Sequence, residues 1–164
     1  MSPGSSLYRR RTAWLGVGAL LLPARLLGQH LDGTGAGVIS AIDSRSGSVT
    51  VVSEQGGAQR FEFQVADSKL RARLRPGHRV TVDLRSGTGR LGGQTIRIAG
   101  VITSVGVMTE VRAVQLCAAE AAALNAIERP GAQGDRPVRW NCAIRLVPRT
   151  TEYVCSCVPT FSPS

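Results

Sequence analysis

The residues of this chain that are best suited to chemistry are its four cysteines, Cys117, Cys142, Cys155 and Cys157. A thiolate can attack a disulfide or bind a soft metal ion, and two thiols can join as a disulfide. Cys155 and Cys157 are two positions apart, so they share one face if their segment is a β-strand. An even number of cysteines in a small exported protein favours disulfides.

The segment that contains three of these cysteines predicts a β-hairpin. Its strands would be Arg139–Val147 and Glu152–Val158, joined by a turn at Pro148–Thr151. If the residues that flank the turn pair with each other, Cys142 lies opposite Cys157. A slip of one residue would turn one strand's cysteines to the other face, so this arrangement depends on the register.

The fourth cysteine falls in an alanine-rich stretch, 111–129, which predicts a helix. One apolar stripe has helical spacing and consists of Val114, Cys117, Ala121 and Leu124. That stripe could cover the hairpin and bring Cys117 to Cys155, because Cys155 would point to the covered face. We therefore expect the disulfides Cys117–Cys155 and Cys142–Cys157.

Two other uses of the cysteines stay open. Four thiolates could bind a metal ion, although Cys155 and Cys157 lack the two-residue spacing of a zinc knuckle. Neither His30 nor His78 lies near them in the sequence. The thiols could also be redox-active.

The N-terminal residues predict an export signal. Arginines at 9–11 precede the apolar stretch Ala13–Leu22, which is shorter than the roughly 20 residues of a membrane-spanning helix. Cleavage after Gly28 would define a signal peptide, 1–28, and a periplasmic or extracellular protein. If the segment is not cleaved, it would provide the only membrane contact. The formal charge is +9, and removal of the four arginines in 1–28 leaves +5.

The residues that follow predict a small closed β-barrel, 34–104, with a short helix that begins near Ser68. Five strands are expected, at Val38–Asp43, Ser48–Glu54, Arg60–Val65, Arg79–Leu84 and Gln94–Ile102. The glycine-rich segment Arg85–Gly93 is expected to be a loop. A helix between the third and fourth of five strands is typical of an OB-type barrel. The predicted fold is therefore mainly β, an OB-like barrel followed by the helix and cysteine-linked hairpin in 105–164.

Four short motifs support this barrel, namely GVISAID (37–43), GSVTV (47–51), FQVAD (63–67) and LRPGHRV (74–80). Through them the chain resembles the small periplasmic OB-like barrels that include the copper-efflux metallochaperones. The resemblance implies the barrel fold and, in that family, a metal site of histidine, methionine and tryptophan. Val52–Phe63 contains none of these residue types, and Met108 and Trp140 lie elsewhere. We therefore expect neither copper binding nor another cofactor.

The sequence contains no nucleophile elbow, phosphate-binding loop or paired histidines, so no catalytic residue and no enzyme is expected. An exported binding or accessory module is expected instead, with an envelope component or a small ligand as partner. Alternatives are a nucleic-acid or polyanion-binding barrel and a divergent periplasmic metal carrier. Nucleic acid is not the expected partner, because Phe61 and Phe63 alternate as core residues do, whereas single-strand binders expose aromatic rings.

Overall fold

The computed structural model of the protein describes residues 33–55, 59–127 and 138–162. The predicted signal peptide, 1–28, lies outside the described residues, as do His30 and the last two residues of the predicted helix, 128 and 129. Neither helix in these described ranges combines the length and apolarity that crossing a bilayer requires.

The described elements are eight strands and two helices. In chain order they are β1 (Thr34–Ile42), β2 (Ser48–Ser53), β3 (Gln59–Gln64), α1 (Ser68–Arg73), β4 (Arg79–Asp83), β5 (Thr88–Leu91), β6 (Gln94–Val107), α2 (Glu110–Ala126), β7 (Val138–Leu146) and β8 (Glu152–Phe161).

The first six strands form a closed antiparallel barrel. The strand order is β3-β2-β1-β4-β5-β6, and β3 pairs with β6 to close the ring. Closure satisfies the backbone groups that a flat sheet would leave unpaired at two edges. The predicted mainly β barrel with a helix between its third and fourth strands is confirmed, but the barrel has six strands rather than five.

The additional strand is β5, which occupies part of the segment expected to be a glycine-rich loop. It pairs with β4 and β6, and Gly89 lies at its centre. A Cβ atom on Gly89 would lie 2.5 Å from the Phe63 ring. Glycine is therefore required here because an aromatic core residue packs directly on the strand.

The first strand is also longer than predicted. It begins at Thr34, four residues before the predicted start at Val38, and Gly35 pairs with Val82 of β4. Pairing with β4 therefore extends β1 to residues that precede the apolar alternation in the sequence.

Alternating side chains of the six strands fill the barrel. Phe61 is 2% exposed and Phe63 is completely buried. The fully buried residues around them include Val49, Val51, Val80, Leu91 and Ile98. Leu70 of α1 and Leu74, which follows the helix, are buried as the four-residue spacing predicts.

The sheet continues beyond the barrel into the C-terminal region. β6 runs through the expected boundary between residues 104 and 105, and its second half pairs with β8, which in turn pairs with β7. The predicted hairpin register is observed, since Val147 donates its backbone N–H to the carbonyl of Glu152 at 2.9 Å. Barrel and hairpin are therefore parts of one sheet.

The helix α2 covers the hairpin, but its buried stripe differs from the predicted one. The buried residues are Ala113, Cys117, Glu120 and Leu124, whereas Val114 is 49% exposed and Ala121 is only half-buried. A polar side chain explains why α2 is rotated about its axis relative to the prediction. Glu120 points inward, where its Oε1 accepts hydrogen bonds from Gln59 Nε2 and Thr103 Oγ1, both at 3.4 Å. These bonds join α2 to β3 and β6 of the barrel.

Candidate functional site

The four cysteines meet where α2 crosses the hairpin. Cys117 is bonded to Cys155 and Cys142 to Cys157. The second pair was expected from the hairpin register, and the first from a helix that covers the hairpin. Cys142 and Cys157 are direct partners across β7 and β8, with their Cα atoms 4.0 Å apart. No cysteine is left free. The Cys117–Cys155 bond joins α2 to β8, and the Cys142–Cys157 bond joins the two strands of the hairpin.

The cysteine sulfurs are close enough to be considered as metal ligands. Those of Cys142, Cys155 and Cys157 lie within 4.8 Å of one another, and the sulfurs of Cys155 and Cys157 are 3.9 Å apart. A soft metal ion requires thiolates, however, and each of these sulfurs is bonded to another sulfur. This cluster could hold a metal only after both disulfides were reduced. Cys155 and Cys157 are fully buried, which limits access for a reductant.

A second candidate site is a surface groove beside α1, which we call the α1 groove. Its volume is about 520 Å³, and it lies between α1 and the turn that joins β1 to β2. The apolar part of its wall is formed by Ile42, Ala72, Leu74 and Pro76. The polar part is formed by Ser44, Ser68, Arg71 and Arg75.

Local sequence explains why the groove forms. Asp67 is the N-cap of α1, because its Oδ1 accepts the backbone N–H groups of Lys69 and Leu70 at 2.8 and 3.2 Å. The helix ends before Pro76, whose ring excludes a helical conformation for the preceding residue. The segment after the helix is bonded to β1, since the Gly77 N–H donates to the carbonyl of Ile39 at 2.8 Å. The basic side chains of α1 remain at least partly exposed.

Two guanidinium groups are fixed at the groove by bonds to backbone carbonyls. Arg71 Nη1 donates to the carbonyl of Val65 at 2.9 Å. Arg75 Nη1 donates to the carbonyls of Ala72 and Leu74, both at 2.7 Å. A guanidinium has five N–H donors, so each group keeps donors that these bonds do not use.

The two carboxylates nearest in sequence to the groove accept hydrogen bonds from groups in their own turns. The Ser46 hydroxyl, and then the backbone N–H groups of Arg45 and Ser46, hold the pKa of Asp43 below its ordinary value of 3.8. The backbone N–H groups of Leu70 and Lys69 do the same for the pKa of Asp67. Both carboxylates are therefore ionised acceptors at neutral pH and poor proton donors.

The sequence did not reveal the groove. Ile42 is the last residue of β1 and Arg75 follows α1, so the two are more than thirty residues apart in the sequence. The available signal was the row of basic residues Lys69, Arg71, Arg73 and Arg75 after the Asp67 cap. That row indicates a basic surface but not the apolar wall beside it. Phe61 and Phe63 are confirmed as core residues.

No protein-family model, curated protein or solved structure matches this chain. Any statement about its function therefore rests on the chain's own residues.

Proposed function

We propose that the protein is an exported, non-enzymatic binding module whose α1 groove holds a small ligand with an anionic group beside an apolar part. The observation that carries the proposal is the groove itself, with two anchored guanidinium groups next to an apolar wall. Guanidinium groups form short, charge-assisted hydrogen bonds with carboxylates and phosphates. The apolar part of the ligand would contact the accessible part of the wall, at Ile42, Ala72 and Pro76.

Export is supported by the state of the cysteines. All four are joined in disulfides, and such bonds persist in oxidising compartments such as the periplasm or the extracellular space. The basic, apolar segment at residues 9–22 has the order of a signal peptide.

The chemistry of the groove favours binding over catalysis. The polar residues of its wall are arginine and serine, and none of the described residues that line it has a carboxylate or imidazole that could transfer a proton. Asp43 and Asp67 lie in adjacent turns, but their oxygens accept hydrogen bonds from those turns.

The alternative functions have less support. A single-strand nucleic-acid barrel needs exposed rings, whereas Phe61 and Phe63 are buried. A metal carrier would need reduced cysteines at the C-terminal hairpin.

The groove is tested with a fluorescent aromatic sulfonate, 1-anilinonaphthalene-8-sulfonate, which combines an anion with an apolar ring system. We expect the folded protein to bind it, and Arg75→Gln to weaken binding about tenfold because a charge-assisted bond is lost. Arg73→Gln is the matched control, since Arg73 has the same charge and lies on α1 but does not line the groove. Equal affinities of the two variants would contradict the proposed site.

The export proposal is tested separately by fractionating cells and mapping non-reduced peptides. We expect the chain in the envelope or the medium, beginning near Gln29, with Cys117 linked to Cys155. Recovery of the protein from the cytoplasm with free thiols would refute export and would leave the groove assay unaffected.

A further inference from the structure

The last strand of the sheet, β7, has one edge that is open over part of its length. Within residues 33–55, 59–127 and 138–162, β7 pairs with β8 on one side and with no strand on the other. Because Val147 is hydrogen-bonded to Glu152, odd-numbered residues of β7 bond to β8 and even-numbered residues point their backbone groups away from it. The outward groups therefore belong to Val138, Trp140, Cys142, Ile144 and Leu146.

One of these positions is closed by a side chain. The Trp140 backbone N–H donates to Asn125 Oδ1 at 2.9 Å, and Asn125 Nδ2 donates to the Trp140 carbonyl at 3.0 Å. Beyond this point the backbone groups of Cys142, Ile144 and Leu146 have no partner among the described residues. We call these three positions the open edge.

One side of the open edge is apolar. Asn125 and the Cys117–Cys155 disulfide hold α2 along β7, since Cys155 lies opposite Ile144. Val114, Ala118 and Ala121 precede Asn125 by 11, 7 and 4 residues and so share its flank of the helix. Val114 is 49% exposed. Leu146 is 54% exposed, and it lies on the face of β7 that α2 covers.

The opposite face of β7 is basic. The side chains on this face are those of Arg139, Asn141, Ala143 and Arg145. All four residues are exposed, and none is acidic. Opposite charges on neighbouring strands attract, and like charges repel. A second copy of β7 would bring its own arginines to this face, whereas a segment with acidic residues would be attracted.

We propose that the open edge binds an extended segment of a partner protein in which apolar and acidic residues alternate, and that this segment extends the sheet as an additional strand. Backbone hydrogen bonds to Cys142, Ile144 and Leu146 would hold it. Its apolar side chains would lie beside the α2 flank and Leu146, and its carboxylates beside Arg139 and Arg145.

The first test uses a short labelled peptide of alternating valine and glutamate, with binding to the full chain followed by fluorescence anisotropy. Two further peptides carry N-methyl groups on alternate residues, one set on each backbone edge. We expect one methylated peptide to bind and the other to fail, because only one edge donates hydrogen bonds to β7. Equal binding of both, or no binding of the unmodified peptide, would overturn the proposal.

The second test reverses the charge of the basic face. Arg139→Glu with Arg145→Glu should weaken binding of the valine–glutamate peptide about tenfold and favour a valine–lysine peptide instead. The control, Arg60→Glu with Arg90→Glu, makes the same charge change on exposed barrel positions. If both double variants lost the same affinity for the peptide, the effect would come from net charge alone. That result would overturn the proposal.

A third measurement distinguishes a partner from a second copy. Sedimentation of the protein alone should show a monomer across the concentrations used for the peptide. A dimer that the valine–glutamate peptide dissociates would assign the open edge to self-association and overturn the proposal. None of these results depends on the α1 groove, which lies on α1 and β1.

Discussion

A single side chain, Asn125, gives Trp140 the backbone pairing that another strand would provide. Trp140 is only 3% exposed, so its N–H and carbonyl could not readily bond to water instead. The amide of asparagine has one donor group and one acceptor in fixed geometry, which matches a peptide unit. Asn125 Nδ2 also donates to the carbonyl of Ala121 at 2.9 Å, which orients the amide.

We therefore expect Asn125→Ala to lower the free energy of unfolding by about 1–3 kcal/mol, because two backbone groups of Trp140 lose their partner. Urea denaturation should show a lower midpoint with an unchanged slope. Asn141→Ala is the control, since the Asn141 side chain donates to the Thr160 hydroxyl at 2.7 Å on an exposed face. If both variants were destabilised equally, the pairing between Asn125 and Trp140 would not be a special contribution.

At the scale of elements, the two disulfides constrain different parts of the chain. Cys117–Cys155 spans 38 residues and ties α2 to β8, whereas Cys142–Cys157 spans 15 and ties β7 to β8, which are already paired. A longer closed loop restricts the unfolded chain more strongly. The first bond is thus the main covalent attachment of α2 to the sheet.

Replacing both members of each pair by alanine should separate these roles. Loss of Cys117–Cys155 is expected to cost about 4 kcal/mol and loss of Cys142–Cys157 about 3 kcal/mol. Hydrogen exchange of the α2 amides should rise much more in the first variant. Equal α2 protection in both variants would show that packing, and not the disulfide, holds the helix.

Elements with clear apolar alternation could be predicted from the sequence, and those set by a tertiary contact could not. β3 and the hairpin strands alternate plainly, so their faces and the cysteine register follow from counting. β5 contains glycine where a strand normally has a side chain, because the Phe63 ring occupies that space. In α2, the inward turn of Glu120 depends on Gln59 and Thr103, which are distant in sequence.

The candidate sites were beyond sequence reasoning for a related reason. The α1 groove and the open edge each require two segments that meet only in the folded chain. The sequence supplied the basic residues of both places, but neither the wall of Ile42 and Leu74 nor the position of Asn125 beside Trp140.

On the scale of the whole molecule, the continuous sheet makes barrel and hairpin one structural unit. β6 pairs with β5 at residues 94–97, with β3 at 98–103 and with β8 at 101–107, so residues 101–103 are bonded to barrel and hairpin at once. Glu120 adds a polar link between α2 and two barrel strands. A perturbation inside the barrel should therefore be felt in the hairpin, which has Trp140 as a natural fluorescent probe.

Gly89→Ala provides that perturbation. Its Cβ would lie 2.5 Å from the Phe63 ring, so the core must shift at a cost of about 1–3 kcal/mol. With Trp14→Phe as background, Trp140 is the only tryptophan. We expect its fluorescence and the far-ultraviolet circular dichroism to report one unfolding transition, which Gly89→Ala lowers equally for both signals.

Adding Phe63→Leu to the Trp14→Phe background tests whether the Phe63 ring is the reason that Gly89→Ala destabilises the protein. A smaller side chain at that position should reduce the cost of Gly89→Ala, giving a coupling energy between the two sites. If Gly89→Ala lowered only the circular dichroism transition and left the Trp140 transition in place, the hairpin would be an independent folding unit. The shared strand β6 would then be a contact between two units and not the element that makes them one.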